Sequence, residues 1–282
     1  MPVEAQFDPR SSTLTWLVWD DATRDAVVID PVLDFDANRS ETSDAPLDAL
    51  CEKIQAKALN VRWILETHVH ADHFSGADVL RKRIGAPIAI SAGIREVDAH
   101  FARMLDVGGD LSAFDRLLED GERVAAGSLT VEVIATPGHT PACATFHVAG
   151  ALFTGDTLFM PDFGTGRCDF PGGCAEQLWG SIQKLYRMFP DDTPVYVGHD
   201  YQPGGRALAY QTTIGASKAE NKQLKADTPV DEFVTWRRER DATLPLPALL
   251  YPSLQVNLRA GRLPDPGKAG IRHLKIPLGR AG

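Results

Sequence analysis

The sequence is poor in cysteine and has no long hydrophobic run. It contains four cysteines among 282 residues, and their spacing fits neither a disulfide-stapled mini-domain nor a zinc finger. No apolar run approaches the roughly 18–20 residues that cross a bilayer, and residues 1–8 lack the basic and apolar regions of a signal peptide. We therefore predict a cytoplasmic protein with reduced thiols and no membrane partner.

The chain also lacks an overall positive charge. Its formal net charge of -9 argues against general nucleic-acid binding. From Pro203 onward, however, 13 lysines and arginines stand against 7 aspartates and glutamates. This basic C-terminal region could attract an anionic small substrate or could be an ordinary solvated surface, and charge alone does not choose between them.

Hydrophobic periodicity predicts alternating strands and helices with polar connections. We expect residues 34–45 to form a loop, residues 94–118 to be mainly helical or irregular, and residues 211–225 to be a polar segment. The predicted strands cover residues 14–19, 26–29, 61–65, 87–90, 129–135, 144–148, 151–154 and 194–197, and the predicted helices cover 47–59, 77–84, 177–189 and 231–241.

A dense cluster of metal-binding side chains follows the strand predicted at residues 61–65. His68, His70, Asp72 and His73 fall within six positions, on a loop between this strand and the helix predicted at 77–84. A loop can turn several side chains toward one point, and its flanking elements hold it in place. Imidazole and carboxylate groups at this density indicate a zinc or iron site.

Three further candidate ligands follow other predicted strands. His139, Asp156 and His199 each come directly after a glycine, which lets the backbone approach a site closely. One Gly-His or Gly-Asp pair is weak evidence, but four loops that deliver ligands from the ends of strands form a specific pattern.

This pattern resembles the metallo-β-lactamase superfamily from residue 14 to about residue 201. The resemblance implies an α+β fold, an αββα sandwich of two mixed sheets flanked by helices. We expect a single domain over residues 1–282, with residues 202–282 as a C-terminal extension packed on it. In binuclear members one metal takes the positions of His68, His70 and His139, the other takes Asp72, His73 and His199, and Asp156 bridges them.

A closer resemblance is to the bacterial branch of the persulfide dioxygenases, also called sulfur dioxygenases. It is carried by residues 154–159, 166–173 and 198–201 and by the tail at 252–261. It implies one Fe(II) per chain, held by the facial triad of His68, His139 and Asp156 with coordination positions left open. His70, Asp72, His73 and His199 would then orient the ligands and hold water.

Four other residues are candidates for roles near the metal. Cys168 could be a nucleophile, but a packing or hydrogen-bonding role fits a buried thiol better, and a disulfide with Cys174 is disfavoured in a cytoplasmic enzyme. Tyr201 could point its hydroxyl into the site or be a core tyrosine. Arg167 and Arg206 could bind the carboxylates of glutathione, or each could form a surface salt bridge.

The resemblance implies a glutathione-dependent persulfide dioxygenase, which oxidises glutathione persulfide with O₂ and water to sulfite and glutathione. Two alternatives remain open: a glyoxalase II-like binuclear zinc thioesterase, and a non-catalytic scaffold of the same fold. The ligand set alone does not separate one iron from two zinc ions, because every binuclear ligand is present. As partners we expect glutathione persulfide, O₂ and a second copy of the chain in a homodimer, without nucleic acid.

Overall fold

The computed structural model describes residues 1–105 and 108–278. Within these residues it has fifteen strands in three sheets and seven α-helices. The two large sheets share one hydrophobic core and helices cover their outer faces, so the predicted αββα sandwich is confirmed. No helix of the described part has the length and apolar content needed to cross a membrane.

In chain order the strands are β1 (Val3–Asp8), β2 (Thr13–Trp19), β3 (Asp25–Ile29), β4 (Val32–Asp36), β5 (Glu41–Ser43), β6 (Asn60–Glu66), β7 (Phe74–Ser75), β8 (Ile88–Ser91), β9 (Arg116–Leu118), β10 (Arg123–Ala126), β11 (Leu129–Ala135), β12 (Ala144–Val148), β13 (Ala151–Phe153), β14 (Pro194–Tyr196) and β15 (Gln211–Thr213). The helices are α1 (Ala45–Ala56), α2 (Ala77–Ile84), α3 (Ile94–Leu105), α4 (Ala175–Met188), α5 (Ile214–Glu220), α6 (Val230–Asp241) and α7 (Leu250–Asn257).

The two large sheets have six strands each. The first has the order β1-β2-β3-β6-β8-β9, antiparallel through β3 and parallel from β3 to β9. The second has the order β10-β11-β12-β13-β14-β15 and is antiparallel except for β13 and β14. Because β3, β6 and β8 run parallel, their C-terminal ends meet at one edge of the first sheet.

The core follows from the alternation of side chains along each strand. On β2, Trp16 and Val18 belong to the cluster between the sheets, which also includes Phe146 of the second sheet. Leu17 belongs to the cluster on the opposite face, where Leu47 of α1 packs. Each sheet therefore has one face toward the other sheet and one toward helices.

The predicted loop over residues 34–45 is wrong, the mainly helical or irregular segment 94–118 is confirmed except for one short strand, and the polar segment 211–225 contains elements that the sequence did not predict. Residues 34–45 include the hairpin of β4 and β5, in which the Asp36 carboxylate accepts the N–H groups of Asn38 and Arg39 in the turn. The segment 94–118 ends in strand β9, with residues 106 and 107 outside the described part. The polar segment 211–225 contains β15 and α5. These strands are three to five residues long and partly exposed, so they lack the apolar alternation that marks a strand in sequence.

Elements after residue 202 contact both halves of the sandwich. β15 pairs with β14 in the second sheet, α6 packs on α4, and α7 packs on β7 beside the first sheet. The assignment of one domain over residues 1–282, with 202–282 as an extension, stays a prediction.

Candidate metal centre

The candidate ligands meet at one edge of the sandwich. β6 ends at Glu66, just before His68, and the loops after β11, β13 and β14 carry His139, Asp156 and His199. The loops after β13 and β14 approach each other closely, because the N–H of Gly198 donates to the carbonyl of Gly155 over 3.2 Å. A Cβ on Gly198 would lie 2.8 Å from the backbone of Gly155, which explains the glycine there.

His68, His139 and Asp156 form one group whose ligand atoms all lie within 4.8 Å of one another. Asp156 Oδ2 is 3.8 Å from His68 Nε2 and 3.6 Å from His139 Nε2. Ligands that share one ion through bonds of about 2.0–2.2 Å lie at such separations. His68 Nε2 and Asp156 Oδ1 are buried and have no hydrogen-bond partner within the described residues. The donor set therefore fits a metal ion.

Hydrogen bonds orient the two histidine rings of this group. His139 Nδ1 donates to the carbonyl of Arg167 over 2.7 Å, which leaves Nε2 with a free lone pair. His68 Nδ1 lies 3.0 Å from the hydroxyl of Thr67. Burial, together with the neighbouring His70 and His139, lowers the pKa of His68 well below its ordinary value. His68 is therefore neutral, the form that binds a metal.

Asp72, His73 and His199 surround the group of three. His199 Nε2 is 3.2 Å from Asp156 Oδ1 and 3.6 Å from Asp72 Oδ2. His73 Nδ1 is 3.3 Å from the same Asp72 oxygen, and the hydroxyl of Thr13 contacts Asp72 and both rings. These side chains are close enough to orient the ligands or to hold a second ion.

His70 contacts two buried carboxylates that the sequence analysis did not single out. Its Nε2 is 3.2 Å from Asp30 Oδ1 and 3.3 Å from Glu66 Oε2. Burial disfavours a charged imidazole, but the two carboxylates prevail and raise the pKa of His70 well above its ordinary value. Asp30 and Glu66 each stand at the end of a buried strand, and this position in the sequence could have indicated that they lie near the metal site.

A cavity of about 410 Å³ opens beside the metal group. Asp72, His139 and Asp156 form part of its wall. Tyr201 also lines it, with its ring stacked on His199 at 5.3 Å. The other aromatic and basic lining residues are Phe159, Phe163, Trp236, Arg167, Lys222, Arg237 and Arg240. The cavity therefore combines aromatic walls with positive charge.

The two arginines predicted to bind substrate both have carboxylate partners. Arg167 lines the cavity, but its guanidinium binds both oxygens of Asp169, at 2.5 and 2.6 Å. Arg206 binds both oxygens of Asp200, each at 2.7 Å, and both oxygens of Asp162. Arg206 is not among the residues that line the cavity.

Lys222 and Arg240 are cavity cations that the sequence analysis missed. Lys222 Nζ lies 5.4 Å from the centroid of Phe163, and Arg240 bonds the hydroxyl of Thr243. Within residues 1–105 and 108–278 neither cation has a carboxylate at salt-bridge distance. The ammonium group of Lys222 and the guanidinium group of Arg240 are therefore better placed than Arg206 to bind a substrate anion. In the sequence, the excess of lysine and arginine in the C-terminal region indicated that such cations could be present.

Cys168 does not line the cavity beside the metal group. It lines a separate groove with Cys174, and its backbone N–H donates to Asp241 over 2.8 Å. Burial raises the pKa of its thiol, and both cysteines are free. The thiol is therefore a poor nucleophile, in keeping with the packing role that the sequence favoured.

Asn257 of α7 ties the C-terminal region to the metal loop. Its side-chain amide donates to the carbonyls of His70 and His73, each over 2.8 Å, and its oxygen accepts the N–H of Ser75. Asn257 stands within the tail that carried the family resemblance, but sequence alone assigned it no role.

Comparisons with known proteins identify the family of the chain. Residues 8–208 match the Metallo-beta-lactamase superfamily. A Burkholderia pseudomallei protein described as a probable metallo-hydrolase is 46% identical, with 99% of each chain covered. The human mitochondrial persulfide dioxygenase ETHE1 is 32% identical over 90% of this chain and 87% of its own length. The crystal structure of ETHE1 from Myxococcus xanthus matches with a TM-score of 0.76 and 32% identity, covering 93% of this chain and 100% of that one. The chain belongs to the metallo-β-lactamase superfamily.

Proposed function

We propose that the protein is a glutathione-dependent persulfide dioxygenase with one Fe(II) per chain. The reaction converts glutathione persulfide, O₂ and water into glutathione and sulfite, so the outer sulfur is oxidised and O₂ is reduced. The similarity to human persulfide dioxygenase and to Myxococcus ETHE1 supports this proposal. The predicted homodimer and cytoplasmic location stay predictions.

One observation carries the proposal: one group of possible ligands consists of two histidines and one carboxylate. His68, His139 and Asp156 form this group, whereas His70 contacts Asp30 and Glu66. Two histidines and one carboxylate with open positions are typical of non-haem Fe(II) oxygenases. Iron held by these three residues would supply open positions where O₂ and a substrate sulfur can react.

The residues around the cavity would bind and orient the substrate. Glutathione has two carboxylates and its persulfide is negatively charged, so Lys222 and Arg240 are suitable partners. Phe159, Phe163 and Tyr201 would exclude water from the reacting sulfur. The bond between His139 and the Arg167 carbonyl would keep the imidazole fixed throughout the reaction.

A binuclear zinc thioesterase is the second candidate. It is favoured by the second group of possible ligands, His70, Asp72 and His73, with His199 close to Asp72. The Burkholderia relative, described as a probable metallo-hydrolase, also agrees with hydrolysis. A non-catalytic scaffold is less compatible, because all of the predicted ligands are present.

Metal analysis and two activity assays distinguish these functions. Protein purified without oxygen should contain about one iron per chain, consume O₂ with glutathione persulfide and release sulfite. S-lactoylglutathione, a thioester, should be hydrolysed slowly or not at all. Two zinc ions per chain with rapid thioester hydrolysis would replace this proposal with the thioesterase. Protein that binds metal but has neither activity would support a scaffold.

A further inference from the structure

Asp241, the last residue of α6, binds the peptide group that orients the candidate ligand His139. The N–H of Cys168 donates to Asp241 Oδ2 over 2.8 Å. The carbonyl of Arg167 accepts from His139 Nδ1 over 2.7 Å. This N–H and this carbonyl belong to one peptide group, the one that joins Arg167 to Cys168. We propose that Asp241 is a positioning residue, which acts on His139 through this peptide group.

The inference goes beyond the proposed function, because it concerns how a ligand is held and not which reaction occurs. His139 would bind the single iron of a dioxygenase, and it would also bind one of the two zinc ions of a thioesterase. The inference needs only that His139 is a metal ligand.

A peptide group can transmit an orientation because it is rigid. Its C–N bond has partial double-bond character, so its N–H and its carbonyl lie in one plane and, in a trans peptide, point in opposite directions. The peptide between Arg167 and Cys168 is trans. A carboxylate that fixes the N–H of Cys168 therefore also fixes the direction of the Arg167 carbonyl, and with it the ring of His139.

The carboxylate of Asp241 is itself held in place. Its other oxygen, Oδ1, accepts from the guanidinium of Arg237, one turn earlier on α6. The side chains of Arg237 and Asp241 are only 4 and 6% exposed. Moving either group away would leave a buried charge without its partner, which is unfavourable. Asp241 is therefore a fixed acceptor for the N–H of Cys168.

The charge of Asp241 should also strengthen the bond to His139. A hydrogen bond to a charged acceptor is about twice as strong as a neutral one, and hydrogen bonds in a chain polarise one another. By drawing on the N–H of Cys168, the carboxylate makes the Arg167 carbonyl a better acceptor. A stronger bond at Nδ1 makes Nε2 of His139 a more basic ligand.

The other contacts of this loop do not replace Asp241. Gln223 Oε1 accepts the N–H and the hydroxyl of Thr165, each over 2.9 Å, and the guanidinium of Arg167 binds Asp169. None of these bonds involves the peptide group that orients the ligand. Within the described residues, the N–H of this peptide bonds to Asp241 and its carbonyl bonds to the imidazole.

Matched variants of the zinc-loaded protein test the inference. Asp241→Leu removes the acceptor, whereas Asp241→Asn keeps an oxygen that can accept from Cys168. Val234→Ala weakens the packing of the same helix without changing these bonds. Zinc affinity would be measured by competition with a chromophoric chelator. We expect Asp241→Leu to lose about 10–100-fold in affinity, Asp241→Asn to keep most of it, and Val234→Ala to match the wild type.

NMR of the imidazole N–H groups separates positioning from a purely structural role. In the wild type the proton of His139 should lie on Nδ1. Its signal should move upfield in Asp241→Leu, because the bond to the Arg167 carbonyl weakens, and it should not move in Val234→Ala. A wild-type His139 with its proton on Nε2 would overturn the inference without any variant.

The variants can overturn the inference in two ways. A folded Asp241→Leu protein with wild-type zinc affinity and an unmoved His139 signal would show that Asp241 does not act on the ligand. An equal loss of affinity in Asp241→Leu and Val234→Ala would show that the packing of α6 is responsible. Either result leaves the proposed function standing, because the iron content and O₂ consumption of the wild type test that function separately.

Asp241→Asn keeps the test decisive if Asp241→Leu does not fold. The asparagine side chain has nearly the same shape but no charge, so the His139 signal should still move upfield, by less than a complete loss of the bond would cause. An unmoved signal in Asp241→Asn would overturn the inference in that case.

Discussion

Replacing Arg206 with alanine should destabilise the protein rather than weaken substrate binding. The sequence suggested a substrate residue, because Arg206 is basic and follows His199 closely. In the structure its guanidinium binds Asp200 and Asp162 and does not line the cavity. Asp200 directly follows His199, so the arginine supports the loop that carries this histidine.

The size of the effect follows from the burial of Asp200, whose side chain is 0% exposed. Removing one partner of a buried ion pair costs about 3–5 kcal/mol. Asp200 keeps the backbone N–H groups of Gln202 and Ala209, so we reduce the expected loss to about 2–3 kcal/mol. At about 2–4 °C per kcal/mol for a chain of this size, Tm should fall by about 4–12 °C.

Thermal and urea unfolding of the metal-loaded protein would measure the loss, and O₂ consumption at 25 °C would give KM for glutathione persulfide. Asp162→Ala is the matched control. Its side chain is 46% exposed, so its bond to Arg206 should contribute less than about 1 kcal/mol. We expect Asp162→Ala to unfold close to the wild-type temperature, with KM unchanged in both variants.

The opposite pattern would refute this reasoning. If Arg206→Ala keeps the wild-type Tm but raises KM for glutathione persulfide severalfold, the arginine binds substrate and its bonds to Asp200 contribute little. An equal loss of stability in both variants would show that the exposed pair with Asp162, and not the buried pair, stabilises the loop.

Three further predictions concern the site itself. His139→Ala should abolish iron retention, whereas His73→Ala should lower activity by about 10–100-fold and keep most of the iron; equal metal loss in both would contradict the ligand assignment. Arg240→Ala should raise KM for glutathione persulfide by about 10–100-fold with kcat nearly unchanged; an unaltered KM in O₂-consumption assays would exclude it from the substrate site. Because burial raises the pKa of Cys168, iodoacetamide at pH 8 should leave this thiol unmodified in the native protein; rapid alkylation found by mass spectrometry would show that the thiol is accessible.

The metal loop could be predicted because its information is local. His68, His70, Asp72 and His73 follow a buried strand within eight positions, and the strand and helix around them have clear periodicity. The hairpin of β4 and β5 could not be predicted in this way. Strand β5 is exposed and has no apolar residue, so its pairing with β4 and not a sequence pattern defines the hairpin.

The sequence shows which side chains are charged, but it did not show what each of them contacts. Arg206 is 44 positions from Asp162, and only folding brings the two together. Lys222 and Arg240 are far from the metal loop in sequence, yet α6 and the segment before it place both at the cavity. Folding decides whether a carboxylate lies beside a given cation, and the sequence alone does not show this.

The sequence by itself determined the types of ligand and the superfamily, because the ligands sit on short loops after recognisable strands. Only the tertiary structure decided which carboxylates lie beside His70. The parallel pairing of β3 with β6 sets Ile29 beside Leu65, and so brings the strand ends Asp30 and Glu66 together around His70. Asp30 lies 40 positions before His70, and its approach depends on a strand register that no local pattern specifies.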